Sequence, residues 1–168
     1  MEKYKVDYSE LSYFKGITID FDSLEEGLDY AQRHNIKDVL VRSEKNDIKR
    51  VVNFDFLNRR DFIQTFHWIV SLSKRSNITG LYHLSKLKDF RWGVDNNFDL
   101  DLSLFPVLEK VNISYDVKIS GWEMLHQLNW LQLSKVRTDN LSFLEKAISL
   151  QYLRIIGGSF TSIEGLEK

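Results

Sequence analysis

No cysteine occurs among the 168 residues, which excludes disulfide staples, thiolate metal sites and a cysteine nucleophile at once. Proline occurs once and glycine eight times, too few for a long flexible linker. No apolar run approaches the ~18 residues of a membrane span. The opening Met1-Glu-Lys-Tyr-Lys-Val-Asp7 has no apolar signal stretch. A cytoplasmic protein with no membrane contact is the expectation. What is present is ordinary for a globular chain: 43% hydrophobic and 28% charged residues. The length matches one domain on the usual scale of ~100–200 residues.

The net charge of −1 hides an asymmetry: −4 over residues 1–41, +6 over 42–91 and −3 over 92–168. The basic middle includes Arg42, Lys45, Lys49, Arg50, Arg59, Arg60, Lys74 and Arg75. A nucleic-acid binder would gather such groups on one face to neutralise several phosphates together. Here Glu44, Asp47, Asp55 and Asp61 are interleaved, so a solvated surface of mixed sign is the favoured reading.

Internal repetition decides the architecture. Leu87-Lys-Asp-Phe90-Arg-Trp92, Leu108-Glu-Lys-Val111-Asn-Ile113, Leu128-Asn-Trp-Leu131-Gln-Leu133 and Leu150-Gln-Tyr-Leu153-Arg-Ile155 share one apolar-x-x-apolar-x-apolar pattern, at steps of 21, 20 and 22 residues. Phe14-Lys-Gly-Ile17-Thr-Ile19 and Ile36-Lys-Asp-Val39-Leu-Val41 match it in the first half. The next unit is assigned to Phe66-His-Trp-Ile69-Val-Ser71, which leaves an insertion near 42–60. Between the first two units, Ser23 and Glu26 are spaced as a capping box, with Leu24, Leu28 and Ala31 on one helical face. Tyr4-Lys-Val6-Asp-Tyr8 alternates as a strand. Gly157-Gly158 reads as a turn.

The pattern resembles the leucine-rich repeat family, whose units run L-x-x-L-x-L and continue into a loop and a return segment. The resemblance implies an α/β solenoid: a short curved parallel sheet on the concave face, with helices or irregular segments on the convex face. One domain spans 1–168, with 1–13 as an N-terminal cap, seven irregular repeats and an incomplete last repeat at 163–168. Many family members carry asparagine at the ninth position of the unit; here that position holds Asp22, Glu44, Lys74, Asp95, Asp116, Val136 and Gly158. Irregular turns are therefore expected.

Alternation along each strand points the fourth and sixth residues inward and the third and fifth outward. Such solenoids bind partners on the strand face. The outward rows of the later units give the expected partner-binding set: Asp89, Arg91, Lys110, Asn112, Trp130, Gln132, Tyr152 and Arg154. Tryptophan, tyrosine and arginine are the residue types over-represented at interface hot spots. Trp68, beside Leu40, Val70 and Leu72, is expected to be covered, while exposure and burial remain open for Trp130.

Signals for chemistry are weak. His34, His67, His83 and His126 fall at different phases of the repeat, and no H-E-x-x-H, Walker or G-x-G-x-x-G pattern occurs. Asp99 and Asp101 lack the glycine and distal glutamate of a calcium loop. No catalytic residue, metal ligand or cofactor is expected. The leading expectation is a non-catalytic module that binds a partner protein through its concave strand face. In a narrower form, small cysteine-free proteins with degenerate repeats resemble bacterial immunity proteins, which neutralise a cognate toxin. The alternatives are a fragment or small relative of a longer repeat scaffold and, less favoured, a nucleic-acid-associated protein using the basic middle segment.

Overall fold

Short alternating apolar stretches separated by turn residues form strands that pair with the next such stretch along the chain. The computed structural model describes residues 3–45, 48–93 and 98–166. Its large sheet is built from β1 (Tyr4–Asp7), β2 (Gly16–Asp20), β3 (Asp38–Arg42), β4 (Thr65–Trp68), β5 (Asp89–Trp92), β7 (Lys110–Ser114), β9 (Trp130–Arg137) and β10 (Tyr152–Ser159). They are ordered β1-β2-β3-β4-β5-β7-β9-β10. β1 runs antiparallel to β2, and every later pair is parallel. The short β6 (Leu100–Asp101) and β8 (Ile119–Ser120) pair in a second small sheet. One α-helix, α1 (Leu24–Arg33), occurs among the described residues. The protein is thus mixed α/β, with a large, mostly parallel sheet and few helices. No helix among the described residues is long and apolar enough to cross a membrane.

Register aligns like residues on neighbouring strands. Ile17, Val39, Phe66, Phe90, Val111 and Leu131 make one fully buried row. Ile19, Val41, Trp68, Trp92, Ile113 and Leu133 make the next. Trp68 sits at the aromatic centre of this core, with ring centroids 4.7 Å from Phe54 and 6.5 Å from Trp92. Its indole N–H donates to the Val70 carbonyl at 2.8 Å, so burial leaves that group satisfied.

This register corrects the unit assigned to Phe66. Phe66 pairs with Phe90 and Trp68 with Trp92, so the unit begins at Ile63, which is buried. Thr65 and His67 therefore take the outward positions, and Trp68 faces the core. Ser71, not Lys74, then falls at the ninth position. The segment read as an insertion is also part of the core: Val52, Phe54 and Leu57 are buried. Phe54–Leu57 forms a 3₁₀ turn behind the sheet.

Similar 3₁₀ turns follow at Thr79–His83, Leu102–Leu104, Trp122–Met124 and Ser142–Leu144. Several share one local device that the ninth-position comparison missed. The side chains of Asp20, Asn53, Asn77, Asp101 and Asn140 each accept the backbone N–H two residues on, at 3.0–3.3 Å. This Asx cap satisfies an orphan donor at the turn's start. Ser23, by contrast, makes no side-chain cap on α1; Asp20 caps the 3₁₀ turn Phe21–Ser23 that leads into it. Ninth-position Asp116 holds the Lys118 N–H at 3.0 Å, while Asp95 lies outside the described residues.

Two glycines are required by space and dihedral together. Gly121 has φ +79°, and a Cβ there would lie 2.3 Å from the Ser103 amide nitrogen of the preceding turn. Gly158 has φ +135°, and its Cβ would stand 2.1 Å from the Val136 carbonyl oxygen. Gly157-Gly158 is therefore not a turn but part of β10, pressed against β9. Gly121→Ala, which meets both strain and contact, should lower urea-unfolding stability by about 2 kcal/mol or more. Leu131→Ala should cost ~2–5 kcal/mol by opening a cavity in the central row.

Candidate functional site

The side of the sheet away from the core presents two rows set by the same register. Thr65, Asp89, Lys110, Trp130 and Tyr152 form one; His67, Arg91, Asn112, Gln132 and Arg154 form the other. All eight residues of the expected binding set therefore share this face. His67 joins them. It was missed because the Phe66 stretch offers apolar residues at both phases.

A second feature of this face had no signal in the repeat. The segment between β1 and β2, residues 8–15, folds across the first strands. Phe14, at the first position of its unit, is buried but outside the main core cluster, with its ring 5.1 Å from the His67 imidazole. Tyr13 reaches further, its hydroxyl hydrogen-bonded to the Arg91 guanidinium, which lies over its ring. Leu40, at an outward position, is buried for this reason. A recess of about 270 Å³ beneath the segment is lined by Lys5, Asp7, Tyr13, Phe14, Leu40 and Arg42 among others. The segment is anchored at its start by Asp7, whose carboxyl is held down to about 2 by hydrogen bonds from Ser9. Burial and the Asp38 carboxylate push the Tyr8 phenol up.

The other half of the face is uncovered among the described residues. A recess of about 270 Å³ lies there, lined by His67, Asp89, Arg91, Lys110, Asn112 and Trp130. His67 Nε2 lies 2.9 Å from Asp89 Oδ1, so the single carboxylate of the recess is already engaged. The Gln132 amide donates to Asn112 Oδ1 at 3.3 Å. Trp130 and Tyr152 stack with centroids 5.3 Å apart and planes within 5°. Trp68, Trp92 and Trp122 are buried, whereas Trp130 is half-buried and Tyr152 is 43% exposed. Lys110 and Arg154 are exposed.

The basic middle segment is not gathered on one face. Arg60 is buried and binds Glu25 at 2.9 Å, Asp29 at 2.7 Å and the Phe56 carbonyl, tying α1 to the Phe54–Leu57 turn. Arg50 pairs with Asp22 and lies over the Phe21 ring. Lys86 and Lys88 pair with Asp61 and Glu109. No cluster of three metal-ligating side chains occurs among the described residues.

The arrangement separates binding from folding in a measurable way. Trp130→Ala and Arg154→Ala should each leave chemical-denaturation stability within about 1 kcal/mol, as is usual away from the core. A Trp130→Ala loss as large as that of Leu131→Ala would place Trp130 in the fold's support instead. No protein-family model, no curated protein and no solved structure matches this chain.

Proposed function

We propose that the chain is a leucine-rich-repeat-like solenoid that binds a partner protein through the uncovered half of its strand face, with no catalytic step. The sequential parallel order of β2, β3, β4, β5, β7, β9 and β10 supports the solenoid reading. So does the recurring apolar-x-x-apolar-x-apolar unit behind each strand.

One observation carries the binding reading. Of four tryptophans, three are in the core, and the fourth, Trp130, stands half-buried on the sheet face, stacked on an exposed tyrosine and followed by Arg154. A large aromatic pair left at the surface brings contact area with few rotatable bonds, which is what interface anchors supply. The N-terminal segment covers the apolar outward position at Leu40 but leaves this pair open. A soluble toxin neutralised by contact is one partner of this kind, and cytoplasmic residence belongs to the same proposal.

Affinity capture from the native lysate, with wild-type protein and a Trp130→Ala/Arg154→Ala double variant as parallel baits, tests it. The expected result is one stoichiometric protein retained by the wild type and lost from the variant. Titration of that purified protein should then show binding weakened by about 100-fold, the loss of two hot-spot contacts at ~1.4 kcal/mol each. Equal retention on both baits would move the interface off this face. A prey encoded beside this gene and toxic when expressed alone would specify the immunity role.

A further inference from the structure

We infer that the recess on β4, β5, β7 and β9 receives a carboxylate side chain of an acidic partner protein; this rests on the protein-binding reading and specifies its chemistry. Charge is the first ground. The uncovered face carries Arg91, Lys110 and Arg154 against one carboxylate, Asp89, which His67 already holds at 2.9 Å. Neither Lys110 nor Arg154 meets a carboxylate among the described residues. Some cations elsewhere are matched: Lys3 with Glu26, Arg60 with Glu25 and Asp29, Lys86 with Asp61, Lys88 with Glu109. Lys110 and Arg154 stand on the face that carries the aromatic pair.

Size is the second ground. At about 270 Å³ the recess falls just below the ~300–1,000 Å³ typical of small-molecule pockets. That volume suits one or two side chains entering from a protein surface better than an enclosed ligand. Geometry is the third. Arg91 and Lys110 sit on adjacent strands at successive outward positions, Arg91 pairing across to Asn112 and Asp89 to Lys110. A carboxylate between them accepts from a guanidinium and an ammonium, while Asn112 offers a neutral amide and Trp130 an apolar wall. Arg91 is already oriented by the Tyr13 hydroxyl, so less side-chain freedom is lost on binding.

The test uses hexaglutamate as probe and the fluorescence of Trp130, the one tryptophan outside the core, as reporter. Hexaglutamate should shield Trp130 from acrylamide quenching at about 50 mM salt and lose most of that effect at about 500 mM, as screening predicts. Hexalysine should not shield it. Lys110→Gln should weaken hexaglutamate binding and Lys110→Glu should weaken it by about tenfold or more. Lys110→Glu/Arg154→Glu should transfer the preference to hexalysine. Lys110 is exposed, and a thermal melt of each variant confirms an intact fold.

Absence of hexaglutamate binding, equal binding by Lys110→Glu, or equal shielding by hexalysine would overturn the inference. Tighter binding of a decathymidylate strand than of hexaglutamate would overturn it in favour of nucleic acid. The captured partner separates the two levels. If it binds Lys110→Glu with unchanged affinity yet is lost from Trp130→Ala/Arg154→Ala, the selection for acid fails and the protein-binding reading stands. If it binds both variants as it binds wild type, that reading fails as well.

Discussion

A strand of four or five residues cannot bury its inner side chains by itself, and everything in this protein follows from the stacking that supplies the missing neighbours. Each inner residue of β4, for instance, is covered by β3 on one side and β5 on the other. The order is that of the chain, so each strand of the large sheet pairs with the sheet strand before it. The last strand shows the rule from its other side. Leu153 and Ile155 of β10 have a strand neighbour only in β9, and they are half-buried where Leu131 and Leu133 are fully buried. Burial here is a property of position in the stack rather than of residue type.

The same alternation that fills the core fixes the opposite face. Once Val111 and Ile113 point inward, Lys110 and Asn112 must point outward, and parallel register lines them up with Asp89 and Arg91. The surface rows are therefore by-products of core packing. Their chemistry is free of it: no core contact depends on whether an outward position holds lysine, asparagine or tryptophan. Such a division lets the outward rows vary while the sheet persists.

Legibility in the sequence divides along the same line. The strands at Phe90, Val111, Leu131 and Leu153 follow from spacing alone, because their apolar residues fit one phase only. At Phe66 two phases compete, since Phe66, Trp68, Ile69 and Val70 are all apolar. Packing decides between them: Trp68 has an aromatic neighbourhood of Phe54, Phe66 and Trp92 that the other phase would forfeit. Spacing cannot see that neighbourhood, since Phe54 arrives from a segment with no repeat signal. The Asx caps were in plain view as Asp or Asn two residues before a turn amide, but a comparison anchored on the ninth position looks past them. The fold of residues 8–15 across the sheet was not legible at all. Phe14 fits the repeat's first position, and only the presence of His67 and Leu40 on the other face explains why its ring goes there.

That N-terminal segment flanks the open recess on one side. The open recess is bounded by His67 on β4 and Arg91 on β5, which Phe14 and Tyr13 contact from the N-terminal side, and by Trp130 on β9, which stacks on Tyr152. From β4 to β9 is three inter-strand steps of ~4.8 Å, about 14 Å between strand axes, and from β5, where Tyr13 reaches, two steps, about 10 Å. An α-helix with its side chains is ~10–12 Å across, and a single extended segment is narrower. On the proposed binding mode, a partner with a protruding loop or extended segment fits this gap better than a flat surface, which would rest on Tyr13 and Tyr152 and leave Lys110 and Asn112 unmet between them. Both walls are aromatic and the floor between them is polar. In the proposed complex, the apolar part of a partner's protrusion would be met at its flanks and its charged tip at the centre, an order set by which side chains the sheet turns outward.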